Sequence, residues 1–348
     1  MNLRVGLAPD GPSPPLNPMS ENNAKAPNRF LLGLCLAALA WTVVVLQAGG
    51  FTTSINAGMA FLDWPLSNGS VNPPGWLQEL DKFAEHSHRL AATGLGILAI
   101  VIAVAHRLLE ARRPVRLAAY AILALVVAQG GLGGLRVLLD QQNTGTDHNL
   151  GGVGFGIFHA LNAQVTVALL ACLAVTHTRL WERAGAEPAS PLLRRLGAAS
   201  VILLLLVMLA AAVMRQNRVT LWVTGDIDLD GLFIPAAGDG WVWTVNLLHR
   251  SGALVAAVSL TLFANWLARS DWLPRSWGGS TPPPPSWGNG FAIAIPLLLA
   301  TQVFLGVIAL TLPSNPHPKT IHVIVAAALL STTSVAALLC RRAGSGTR

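Results

Sequence analysis

The stretch EHSHRLAATGLGILAIVIAVAH, residues 85–106, decides what kind of protein this is. It opens on Glu85, His88 and Arg89, then runs from Leu90 to Ala105 without a charged side chain. A helix rising ~1.5 Å per residue needs about 20 apolar residues to cross a ~30 Å hydrocarbon layer, and this stretch has that length. Including this one, eight such segments lie along the chain, at roughly 30–49, 86–106, 117–139, 153–176, 196–214, 243–267, 290–312 and 321–340. The whole sequence is 53% hydrophobic and 11% charged, against about 25% charged in an ordinary soluble domain. The sequence therefore predicts an all-α integral membrane protein with eight transmembrane helices.

Basic residues set the expected orientation, because Lys and Arg near a span resist translocation. Sixteen of the 23 Lys and Arg fall in the leader, in the even-to-odd connections (Arg107 to Arg116, Arg179 to Arg195, Arg269 and Arg275) and in the tail. Both termini are expected to be cytoplasmic. The pI of about 10.3 follows from this topology and gives no reason to invoke nucleic acid. Residues 1–28, rich in Pro, Asn and Ser, read as a disordered cytoplasmic leader without a signal-peptide pattern, and Met19 is an alternative start to Met1. GGSTPPPPSWGNG, 278–290, reads as an extended linker. Cys35, Cys172 and Cys340 all fall in or beside apolar segments and read as small buried hydrophobes.

A weak internal repeat organises the chain. His88-Arg89 opens span two and His249-Arg250 comes early in span six; AQGGLGG (128–134) and TQVFLGV (301–307) both give Gln-x-x-Leu-Gly; His159 and His322 stand early in spans four and eight. The expected architecture is two pseudo-repeated four-helix bundles: residues 29–177 and 178–342, with 343–348 a cytoplasmic tail. Inward side chains from several helices are a common way to hold a cofactor in a bundle core, and two histidines on different helices suit a six-coordinate haem. The expected iron ligands are His88 with His159 and His249 with His322, toward the outer leaflet. His148 is the rival to His159 but sits in a Gly-rich loop. His86, about 200° round the helix from His88, cannot face the same core. His106, His177 and His317, at span ends or in loops, read as solvated.

Four further positions carry chemistry or its imitation. Arg89 and Arg250 suit haem propionates, or equally anchor helices at the interface. Glu85 lies on the His88 face and its counterpart in the second copy is Asn246, so only the first site has an acid; the alternative is a charge ending the helix in water. Gln129 and Gln302 either touch a cofactor or tie helices together. Asp226, Asp228 and Asp230 alternate in the fifth-to-sixth connection without calcium-loop spacing and read as a solvated acidic loop.

These residues together resemble the haem A synthase family. EHSHR (85–89) looks like its Glu-x-x-His-Arg motif, SINAGMAFLDWPLSNGSVNP (54–73) is similar to its Ala-Gly-x-Ala-x-x-Asp-Trp-Pro loop, and both Gln-x-x-Leu-Gly segments, His249-Arg250 and TIHVIVA (320–326) fit as well. The resemblance covers roughly 30–340. It implies an oxidoreductase that converts haem O to haem A by oxidising the methyl group at ring position 8 to a formyl group, for haem-copper terminal oxidases. It implies that His88 and His159 bind the substrate haem O, that Glu85 is the catalytic acid, and that His249 and His322 hold a haem b cofactor. It also implies a multi-pass protein of the bacterial inner membrane, with a haem prenyltransferase and terminal oxidase subunits as neighbours and a homo-oligomer as one state. Two departures stand out: the first outer loop lacks the cysteine pair many members carry, and residues 214–241 match the family's Gly-rich connection poorly. The competing functions are a di-haem b electron carrier and a haem-binding assembly factor without catalysis.

Overall fold

A computed structural model describes residues 28–145, 150–186, 189–218, 240–269 and 287–343. The leader up to residue 27, His148, the aspartate-rich connection, most of the proline-rich linker and the last five residues lie outside these. Eight long helices match the eight expected segments and overrun them by a few residues at most ends: α1 Arg29–Ser54, α2 Leu80–Leu109, α3 Arg113–Leu138, α4 Leu150–Val175, α5 Pro191–Gln216, α6 Gly240–Arg269, α7 Trp287–Thr311 and α8 Pro316–Ala343. Short helices at Gln141–Thr144 and Arg179–Ala186 join α3 to α4 and α4 to α5. Among the described residues there is no strand, only an isolated bridge between Ser67 and Ser70.

Local chemistry fixes where the helices begin. Asn28 caps α1, its side-chain oxygen accepting from the N–H groups of Phe30 and Leu31 at 3.1 Å each. Ser190 caps α5 by accepting from Leu193 N–H at 3.2 Å, and Pro191 fills the first helical position, where no N–H is needed. All eight helices are long and apolar enough to cross a bilayer. Their outward faces carry large apolar residues such as Val127, Leu254, Val258 and Phe304, each more than half exposed. Such faces are aggregation-prone in water and suited to hydrocarbon. The chain is a multi-pass membrane protein.

Helices α1–α4 pack in a closed ring, α1 on α2, α2 on α3, α3 on α4 and α4 on α1; α5–α8 close a second ring in the same order. The two rings meet through α8, which also touches α1 and α4, and through α4 against α5. Over half of α8's apolar run is buried, against almost none of α7's.

Apolar packing is concentrated at one end of each ring. In the first, Cys35, Ala38, Ile102, Ala119, Ile122, Leu170 and Leu173 form one cluster. In the second, Leu193, Leu260, Phe263, Leu267, Leu329 and Cys340 belong to another. All lie in the helix halves nearest Arg29 and Ala343. The four repeat histidines lie in the opposite halves. Cys35 and Cys340 are buried and Cys172 partly so, all as free thiols.

The packed end holds a correction to the sequence reading. His106 and His177 are not solvated; they are 0% and 1% exposed. His106 Nδ1–H donates to Ile102 O at 2.8 Å, and His177 Nε2–H donates to His106 Nε2 at 3.0 Å. Arg112 donates to Glu110 and to the Thr176 carbonyl, and approaches His177 Nδ1 at 3.4 Å. The pair is thus neutral, hydrogen-bonded in one direction, and closed by an ion pair. Burial, reinforced by His106 and Arg112, holds the His177 imidazole down at about 4 although Glu110 opposes this. Burial alone would raise the Glu110 carboxyl, but the hydrogen bonds and charge of Arg112 pull it to about 2.

The sign of the resulting pH effect follows from linkage. An unfolded His177 takes up a proton near 6.5 that the folded protein refuses until about 4, so stability is lost as pH falls through that window. Glu110 adds its own loss between 4.5 and about 2. Melting temperature in detergent should fall between pH 7 and 5, and His177→Gln should flatten that slope; an equal slope in the variant refutes the assignment.

Candidate functional site: two histidine pairs at the open end of the bundles

His88 projects from α2 and His159 from α4, and their rings face each other with centroids 6.5 Å apart and planes at 82°. Two imidazoles bound to one metal through bonds of ~2.0–2.1 Å bring their ring centroids to roughly 6–6.5 Å. The sequence separation of the two gives no hint of this closeness; the ring of four helices creates it.

Glycine makes the room. A Cβ on Gly49 of α1 would lie 2.6 Å from His88 Cε1, and one on Gly133 of α3 would lie 3.0 Å from His159 Cε1. Those helices can approach the imidazoles only because they carry no side chain there. His159 is further oriented by Nδ1–H donating to the Gln129 carbonyl at 3.1 Å, which leaves Nε2 with its lone pair. Gln129 Nε2 returns a bond to His159 O at 3.0 Å, and Asn162 donates to Gln129 Oε1 at 2.6 Å. Gln129 is therefore a helix tie that aims the histidine. His88 Nδ1 is buried. The Val45 backbone of α1 is the polar group beside His88, and the spacing of the two rings fits a metal-centred group between them.

The second bundle holds a related pair. His249 Nδ1–H donates to Val207 O of α5 at 3.2 Å, which leaves its Nε2 with the lone pair. His322 is within electrostatic reach of His249, and a Cβ on Gly306 would lie 3.3 Å from its ring. Here Gln302 touches the imidazole itself: its amide nitrogen lies 3.0 Å from His322 Nε2. His322 Nδ1 and Gln302 Oε1 are left buried and unpartnered. A metal at Nε2 would have to displace the Gln302 amide, so the two sites differ in how ready they are.

Above the first pair lies the α1–α2 loop, and it accounts for Glu85 and Arg89. Glu85 is 4% exposed, so it does not end the helix in water. Its Oε2 accepts from Ala60 N–H at 2.7 Å and Phe61 N–H at 3.2 Å, and its Oε1 pairs with Arg89. Arg89 spends its other Nη hydrogens on the carbonyls of Asp63, Leu66 and Phe61. With four of its five N–H groups used, Arg89 clasps the loop onto α2. Its guanidinium is engaged by protein groups rather than left facing a ligand.

Other contacts complete the cover. Ser67 and His86 hydrogen-bond at 3.0 Å, and the His86 ring meets Trp76 edge-on with centroids 4.7 Å apart. The Trp64 ring packs so closely on Gly134 of α3 that a Cβ there would come within 2.5 Å. Asp63 accepts from Asn68 and Gly69 N–H at 2.7 and 2.8 Å, with Asn68 and Gly69 at positive φ. Partial burial would raise the Asp63 carboxyl, but those two N–H groups and Arg89 hold it below the usual carboxylate range. Asn246, three residues before His249 as Glu85 is before His88, donates back to Val242 O at 2.8 Å.

Sequence reasoning missed two guanidinium groups. Arg136 lies one turn along α3 from Gly133, toward the loop, and its only hydrogen bond among the described residues is Nε to Gln216 Oε1 at 3.3 Å. Arg215, at the same end of α5, donates to Gly50 O and Ser54 Oγ at 2.8 Å each. Arginines at a helix end read as interface anchors, which hid both. His317, by contrast, is exposed as expected and stacks on Phe51.

Two rings of membrane helices, each with two histidines in the halves away from its apolar core, define a polytopic membrane protein of two four-helix bundles. The model of one protein family, described as cytochrome oxidase assembly protein, matches residues 33–334, and the chain belongs to that family. A heme A synthase from Methylobacterium sp. (strain 4-46) is 29% identical over 168 residues, covering 45% of this chain and 42% of that protein. The match thus spans under half of that relative's length.

Proposed function

We propose that the chain is a haem A synthase, oxidising the ring-position-8 methyl of haem O to a formyl group. The observation that carries this reading is the His88–His159 pair, 6.5 Å apart, in a chain matched nearly end to end by the cytochrome oxidase assembly family. Residues 29–177 form the substrate half and 178–342 the half with a resident haem b, each a copy of one four-helix unit. Both termini are cytoplasmic, and the histidine ends face the outer side of a bacterial inner membrane. When bound, the two haems supply the methyl group to be oxidised and the redox chemistry.

The protein's own residues position, shield and charge the site. His88 and His159 hold the substrate haem, with the Gln129 carbonyl keeping the His159 proton on Nδ1. His249 and His322 hold haem b, His322 after release from Gln302. The α1–α2 loop, clasped by Glu85 and Arg89, excludes water above the first pair. Glu85 is a buried acid on the His88 face of α2, and Asn246 offers no equivalent. This difference favours chemistry in the first half over a symmetric pair of electron-carrying haems.

The test is to express the protein with a haem prenyltransferase, purify it, and extract its haems with acid acetone for mass analysis. Haem A or its hydroxylated precursor beside haem B is expected. Haem B alone, with haem O present in the membranes, refutes the synthase and leaves electron transfer or haem delivery.

A further inference from the structure

The described residues of α5 to α8 contain no Asp or Glu at all, yet their histidine end carries Arg215, Arg250 and Lys319. Arg215 is half-buried in a helix that crosses the membrane, and its two hydrogen bonds go to uncharged oxygens, Gly50 O and Ser54 Oγ. The Ser54 hydroxyl lies 3.2 Å from Thr320 Oγ1, so the guanidinium is held beside the start of α8. Lys319 precedes His322 by three residues, about one turn nearer that end on a similar face. The Lys319 and Arg215 charges act on each other, and Arg215 acts on His322. Lys319 donates to the Pro313 carbonyl, while a guanidinium buried within a membrane helix is costly unless an anion joins it. Three of the five Arg215 N–H groups have no partner among the described residues. Guanidinium is the side chain best shaped to take a carboxylate in a two-point grip.

We propose that Arg215, with Lys319 beside it, is the seat for a propionate carboxylate of the haem held by His249 and His322. This inference rests on the haem-binding reading given above. It adds to Arg250, the expected partner in the motif, an arginine on a different helix. Such a seat would keep the haem's carboxylates at the histidine end of the second bundle, away from the apolar cluster around Phe263 and Leu267. Arg215 also ties α5 to α1 through Gly50 and Ser54, so the seat belongs to the seam between the two bundles. A competing source of carboxylate is the Asp226, Asp228 and Asp230 connection.

The test uses purified full-length protein loaded with haem b or with haem b dimethyl ester, whose propionates cannot ionise. Haem loss to excess apomyoglobin and the midpoint potential are read for each. For the wild type, the ester should be lost about tenfold or more faster than haem b, the loss of a charge-assisted hydrogen bond. Arg215→Gln should lose both haems at that faster rate and hold haem b at a lower midpoint potential, while Arg215→Lys recovers part of both. Equal retention of haem b and its ester by the wild type overturns the proposal, even if Arg215→Gln fails to fold. The proposal is equally overturned if Asp226→Asn, Asp228→Asn and Asp230→Asn together reproduce Arg215→Gln. A wild-type protein that takes up no haem at all would instead refute the proposed function.

Discussion

Glu85→Ala is expected to cost about 3–5 kcal/mol of stability, the usual effect of removing one partner from a buried ion pair, and to stop haem A formation. The loss has three parts. The Arg89 guanidinium, only 14% exposed at its side chain, is left charged without its carboxylate. The N–H groups of Ala60 and Phe61 lose their acceptor. The loop over the first histidine pair then loses its carboxylate anchor and keeps only weaker holds such as Arg89, His86, Trp64 and the Asn143 bond to Leu62 O. Glu85→Gln separates clasp from chemistry, because the amide oxygen can still accept from Ala60 and Phe61. If Glu85→Gln folds, binds haem and makes no haem A, the carboxylate is needed in the reaction. If it makes haem A normally, Glu85 acts only by holding the loop. Thermal unfolding and haem extraction on the same preparations give both answers.

The second large effect is expected from the histidines, taken one bundle at a time. His249→Ala or His322→Ala should remove haem b while the first bundle still accepts haem O. His88→Ala or His159→Ala should do the reverse. Losing even a partner of a metal ligand weakens binding by about 10–100-fold, so loss of the ligand itself should empty the site. Low-temperature spectra and haem-to-protein ratios measure this. If any one of the four variants strips both haems equally, the two pairs are not separate sites.

The helices were legible in the sequence because each rests on a local pattern, and so was the meeting of His88 with His159. A charge-poor, largely apolar stretch of about 20 residues specifies a span whatever lies beside it, and the pairs His88-Arg89 and His249-Arg250 repeat one another. The loop's grip was not legible. Arg89 meets the carbonyls of Phe61, Asp63 and Leu66, and backbone carbonyls leave no mark on composition. His106 and His177 were misread for a related reason. A histidine at the end of a span is solvated or buried according to what the neighbouring helix places against it, and here each places the other. Gln129 was correctly read as a polar residue with two candidate duties; the position of Asn162 decides between them. Arg215 was hidden because its surroundings come from α1 and α8, far away in the chain.

The position of α8 bears on how the protein is made. A ribosome delivers α1 to α4 before the rest, yet α1 and α4 both pack against α8, which is synthesised after the other seven. Until α8 arrives, the first bundle has a lipid-facing flank where its finished wall will be, and Arg215 has not yet been pressed between α1 and the start of α8. The seam between the two bundles is therefore the last part of the protein to be completed, after each helix of the first ring has already been made.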